Sequence, residues 1–277
     1  MERKTVIGKD GLLHCAVCGE AVEMMIGFPL MDGSGGTEPR KVHRMCRCEK
    51  AEKEAYDRRM KFEEEQRRID DLRRLSLMDI KLRGVRFGNY QVTDENRRIF
   101  GIAKKYVENF DVMLSRNQGI LFWGNVGTGK SYTAAAIANE LIDRMHSAIM
   151  TSFIKLLNEM MQFGGSETDK KLSAADYIQK LNQAQLLVID DLGAERGTDF
   201  ALEKVYDIID SRYRSGKPII LTTNLEMSQM KNCNDIRYNR IYDRIFEMCY
   251  PVKVDGLSWR KKEAAARFAD TRKILEG

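Results

Sequence analysis

Gly124-Asn125-Val126-Gly127-Thr128-Gly129-Lys130-Ser131 fits the spacing G-x-x-x-x-G-K-[ST], between the apolar run Ile-Leu-Phe-Trp and the helix-forming stretch SYTAAAIANELI. That placement leaves few architectures open. Apolar run, glycine turn and helix in this order open a strand–helix unit whose turn points backbone N–H groups, and the helix its positive end, at a phosphate. Lys130 is placed to reach β- and γ-phosphates and Ser131 to ligate magnesium, with Tyr132 next on the helix. Residues 124–132 are therefore the expected nucleotide contacts.

From about residue 87 onward, short apolar runs alternate with helical patterns, as in a parallel sheet covered by helices. The runs predict strands over 119–123, 148–151, 186–190, 218–222 and 251–254. The patterns predict helices over 131–145, 153–162, 174–182, 199–214, 235–248 and 258–275, with a loop at 164–169. The run Leu186-Leu187-Val188-Ile189 ends in Asp190-Asp191, where Asp190 would hold the water shell of a magnesium ion. Asp191 would act as general base on an attacking water. The strand at 218–222 runs into Thr223 and Asn224, at the sheet edge where such sites form.

Ahead of this body lie a cysteine-containing head, residues 1–48, and a charged stretch, 49–80, so the body proper is 81–277. The stretch from Glu49 to Arg74 has no Gly or Pro and mixes acids and bases at helical spacings, which predicts a solvated linker helix. Tyr56, Met60, Ile69 and Leu72 give it only a thin apolar line. Cys15-x2-Cys18 and Cys46-x-Cys48 supply four thiolates, enough for a closed tetrahedral zinc site, around a flexible run at 32–37. His43 is a competing ligand, more simply read as a surface residue; Cys233 and Cys249 read as ordinary thiols. Such a head is too poor in apolar residues to fold without its metal. Zinc pairs of this kind belong in a reducing compartment. No apolar run approaches the roughly 18 residues of a membrane helix. The start of the chain lacks the apolar stretch of a secretory signal, so a cytoplasmic protein without a membrane contact is expected. A net charge of +5 permits nucleic-acid contact without arguing for it.

FWGNVGTGKS, LLVIDDLGAE, VYDIIDSRYRSGKPIILTTNL, RIYDRIFEM and GLSWR, in this order, resemble the AAA+ ATPases. More narrowly they resemble the bacterial and phage replicative-helicase loaders of the DnaC/DnaI type and the related transposition helper IstB. The resemblance implies a three-layer α/β fold, a parallel five-stranded sheet between helices, that binds ATP and Mg2+. It makes Asn224 sensor 1, Arg260 sensor 2 acting in cis, and Arg240 the arginine finger given to a neighbouring copy, with Arg244 as competitor. Asp191 stands where many AAA+ members carry Glu, whereas the loader branch is similar to this chain in having Asp-Asp; the shorter side chain fits slow hydrolysis.

The function this implies is ATP-dependent loading of a hexameric replicative helicase onto single-stranded DNA at replication initiation. The zinc head would dock the helicase, and homo-oligomers would form through the finger. Basic residues Arg260, Lys261, Lys262 and Arg267 do not separate phosphate contact from an exposed helix face. Two other readings share the motifs: a transposition helper that coats duplex DNA, and a zinc-dependent adaptor that binds ATP without hydrolysing it.

Overall fold

The computed structural model describes residues 4–30, 35–75, 80–162, 173–194 and 198–276. The loop expected at 164–169 and part of the glycine run at 32–37 lie outside them. Two compact units divide at Arg67/Arg68.

In the first unit, β1 (Thr5–Ile7) pairs antiparallel with β2 (Leu13–Cys15), and β3 (Glu23–Pro29) with β4 (Thr37–His43). The buried apolar cluster here is Cys15, Val22 and Cys46, with Leu13, Cys18 and Cys48 packed on it. Helix α1 (Arg47–Leu75) begins in this unit and crosses the division. Pairs such as Arg59–Glu63, 2.8 Å apart at i,i+4, support it where no apolar face does.

The second unit opens with α2 (Ile80–Arg83), α3 (Arg97–Glu108) and α4 (Phe110–Ser115). There follow β5 (Gly119–Trp123), α5 (Lys130–Asp143), β6 (Ala148–Ser152), α6 (Phe153–Gln162), α7 (Ala174–Leu181) and β7 (Leu186–Leu192). The chain continues through α8 (Asp199–Arg214), β8 (Ile219–Thr223), α9 (Met227–Lys231), α10 (Ile236–Met248), β9 (Cys249–Lys253) and α11 (Trp259–Leu275). Among the described residues five parallel strands form one sheet in the order β6-β7-β8-β5-β9.

The apolar runs are continuous because both faces are covered. Strand alternation sends Ile120, Phe122, Met150, Val188 and Ile220 into a core with α3, α4 and α5. Leu121, Ile149, Leu187, Ile189 and Leu221 enter the opposite core with α6, α7, α8 and α10. With β8 and β9 on either side of β5, the loop leaving β5 opens at the carboxyl edge, where parallel sheets bind ligands.

Three sequence expectations need correction. Ile69, read as part of a solvated line, is 4% exposed and sits in the core beside α3 and α5. The strand expected at 186–190 runs on to Leu192, and the one at 251–254 begins at Cys249. Helices α3 and α4 and the two head hairpins were not anticipated.

Candidate functional site

Residues 124–131 bridge β5 and α5, and their backbone requires glycine at specific points. Gly129 caps α5 at φ 98°, in the left-handed region. A Cβ on Gly127 would lie 2.1 Å from Ser258 Oγ, so the start of α11 stands directly on this loop. The Trp259 N–H also donates to Gly127 O at 3.0 Å.

Lys130 is 5% exposed, and its ammonium donates to Gly124 O at 2.8 Å and Asn125 O at 2.7 Å, holding the loop closed on itself. Burial pulls its pKa down, while the Asp191 and Asp190 carboxylates push it back up. Burial pushes Asp191 up, Asp190 adds to this, and Arg260 and Lys130 oppose it. Lys130, Asp190, Asp191 and Arg260 thus share one electrostatic site, and a carboxylate raised in this way suits proton abstraction. A loop of exposed backbone turns, one ammonium and adjacent carboxylates is a donor set that fits a nucleotide phosphate with magnesium.

Thr222 Oγ1 donates to Asp190 Oδ1 at 2.5 Å and accepts from the Asp191 N–H at 3.0 Å. Asn224 follows β8 directly and is exposed at the same sheet edge. Tyr132 is half-buried and meets the Tyr90 ring edge-on at 5.3 Å, while the Tyr90 hydroxyl bonds Thr133 Oγ1 at 2.8 Å. Tyr90 and Thr222 escaped the sequence reading: an aromatic in a loop and a threonine closing a strand carry no spacing signal. Trp123, immediately before Gly124, lies under the Lys253 ammonium, 5.5 Å from its ring centroid.

Arg240 and Arg244 are not brought to this site: among the described residues no contact joins either to Lys130, Asp190 or Asp191. Arg240 is exposed, and its guanidinium has no polar partner among the described residues. Arg244 is held by Asp210 at 2.7 Å and the Tyr206 hydroxyl at 3.0 Å, with its guanidinium 4.9 Å from the Tyr206 ring centroid.

In the first unit the Sγ atoms of Cys15, Cys18, Cys46 and Cys48 lie within 4.8 Å of one another. Four sulfurs at 2.3 Å from a common zinc would be about 3.8 Å apart, so the cluster has the dimensions of a metal site. The Glu20 backbone amide and the neighbouring thiols pull Cys18 down to about 6, and Cys18 pushes Cys48 up to about 11. His43 stands outside the cluster, its Nε2 3.0 Å from Glu49 Oε1. No helix among the described residues is long and apolar enough to cross a membrane.

A sequence model of the IstB-like ATP binding protein family matches residues 52–266. The chain is 30% identical over 161 residues to the replicative helicase loader DnaC of Escherichia coli (strain K12), covering 57% of this chain and 62% of that one. It is 32% identical over 171 residues to the phage-like element PBSX protein XkdC of Bacillus subtilis (strain 168), covering 58% and 59%. Each match spans less than two thirds of the relative. Among solved structures, DnaI superposes with a TM-score of 0.54 at 23% identity, over 65% of this chain and 96% of that one. The DnaC helicase loader does so with 0.53 at 22%, over 64% and 100%. Phosphate loop, paired aspartates, sheet order and matched length agree: the chain belongs to the IstB-like ATP-binding proteins, within the AAA+ class that includes the helicase loaders.

Proposed function

We propose that the protein is a cytoplasmic, ATP-dependent loader of a hexameric replicative helicase onto single-stranded DNA. The observation that carries this reading is the union, in one chain, of a phosphate-and-magnesium constellation with a four-thiolate head. Its similarity to DnaC supports the same reading. ATP would sit on residues 124–132, with Mg2+ held by Ser131 and the water shell on Asp190. Asp191 would take the proton of the attacking water, Asn224 would orient it, and Arg260 would sense the γ-phosphate from the start of α11. Zinc on the four cysteines would fix a helicase-docking head.

Hydrolysis needs a further guanidinium, supplied by α10 of a neighbouring copy, so turnover is slow until subunits assemble. That suits a switch whose work is one conformational change per nucleotide.

The test is the mass distribution of the protein mixed with its host's hexameric replicative helicase, with and without ATP and Mg2+. A defined complex is expected with ATP, absent for Lys130→Ala, which removes the phosphate contact, and for Cys46→Ser/Cys48→Ser, which removes half the metal ligands. The match to the IstB-like family favours one second reading, a transposition helper. No helicase complex, but ATP-dependent multimers on duplex DNA, would replace the loader with that reading.

A further inference from the structure

The two aspartates at the sheet edge do not sit in a regular strand. In the β7–β8 ladder Ile189 pairs with Leu221 and Leu192 with Thr223, with a register shift between them. Asp190 and Asp191 therefore both oppose a single residue, Thr222, which is the geometry of a β-bulge. Asp191 takes up the extra length at φ 57°, a left-handed conformation for a residue with a Cβ.

A regular strand would send successive side chains to opposite faces. Here one side chain, Thr222, meets both aspartates, the Asp190 carboxylate and the Asp191 N–H, so the bulge has set the pair against a single hydroxyl. This arrangement costs a ladder bond and a strained backbone, and such strain persists only where the surroundings over-determine it. Thr222 supplies what the ladder lost. It is fully buried at 0% exposure, and its one hydroxyl accepts the Asp191 N–H at 3.0 Å while donating to Asp190 Oδ1 at 2.5 Å. The Ala194 N–H, donating to Asp191 O at 3.2 Å, closes the far side of the turn.

We infer that Thr222 is a positioning residue for the magnesium–nucleotide site: its hydroxyl replaces the missing ladder partner and fixes both aspartates in the bulge. The inference rests on the reading that Asp190 and Asp191 serve bound Mg2+ and ATP. Valine has the same shape as threonine but neither donates nor accepts, so it leaves the Asp191 N–H unpaired and the Asp190 carboxylate unheld. Serine keeps the hydroxyl and loses only a methyl group.

The experiment measures affinity for a fluorescent N-methylanthraniloyl-ATP with saturating Mg2+ and again in EDTA. The ratio isolates the contribution of the metal and does not depend on a turnover readout. In wild type and Thr222→Ser the nucleotide binds tighter with Mg2+. In Thr222→Val that ratio falls by roughly fivefold or more, with EDTA affinity unchanged, as loss of one hydrogen bond to a charged group requires. Should the valine variant fail to fold, Thr222→Ser and Thr222→Ala differ by the hydroxyl alone, and the same drop is expected in alanine only. A ratio preserved within about twofold in the hydroxyl-free variant overturns the inference. A wild type that binds the nucleotide equally with and without Mg2+ overturns the magnesium reading beneath it.

Discussion

Among the described residues Arg212 is the largest side chain wholly removed from solvent, and no carboxylate among them meets it. Its guanidinium donates instead to backbone carbonyls: Pro218 O at 2.7 Å, Ala184 O at 2.9 Å and Gln185 O at 2.9 Å. These carbonyls precede β7 and β8, so one planar fork ties the entry points of two central strands. Arg212→Lys keeps the charge but cannot span three acceptors, and is expected to cost roughly 3 kcal/mol of stability in urea unfolding. Arg214→Ala is the control: Arg214 is exposed and, among the described residues, pairs with Asp210 alone, so its loss should stay within about 0.5 kcal/mol. Equal effects of the two would mean the fork holds nothing. In the sequence the two arginines are indistinguishable, both lying in Ser-Arg-Tyr-Arg, because burial is decided by the far ends of β7 and β8. The phosphate loop was legible for the opposite reason: its spacing encodes its backbone, whereas nothing around Asp191 announces a left-handed residue.

At the scale of elements, strands wrapped on both faces read directly from their apolar runs, and their ends did not. β9 starts two residues before Pro251, a residue without an N–H that is tolerated because β9 is a sheet edge. α3 carried its signal in Ile99, Ala103, Tyr106 and Val107, a helical stripe facing α5. The head ribbons gave none, since β3 is exposed along nearly its whole length. Helix α10 shows how packing refines a sequence choice. Ile241, Ile245 and Met248 enter the core, Arg237 reaches Asp199 at 2.7 Å, and Arg244 is clamped to α8. Of these three arginines, Arg240 alone has no polar partner for its guanidinium among the described residues, which is what the proposed finger requires. Arg240→Ala should therefore preserve thermal stability and ATP binding while lowering assembled turnover by about 10³-fold. Arg244→Ala should lower the melting temperature. Loss of turnover confined to Arg244→Ala, with its stability intact, would transfer the finger to Arg244.

For the molecule as a whole, the division at Arg67/Arg68 separates a unit with three buried core residues among those described from one with two extensive cores. The small unit has too little apolar burial to order itself, and a structural zinc in isolated modules is worth about 10–16 kcal/mol. Chelation under reducing conditions should therefore expose residues 4–46 to protease while the nucleotide-binding unit survives and still binds ATP. Protein stripped of metal yet protected throughout the head would remove the structural-zinc reading, as would a metal content well below about one per chain.

The contact between Trp259 and the phosphate loop has an optical side. The chain has two tryptophans: Trp123 precedes Gly124, and the backbone of Trp259 is bonded to Gly127. Excited beyond the absorption of tyrosine, the protein emits only from these two indoles, one on the residue that enters the loop and one on a residue whose backbone is bonded to it. Its intrinsic fluorescence is thus a label-free gauge of that loop, placed there by the fold.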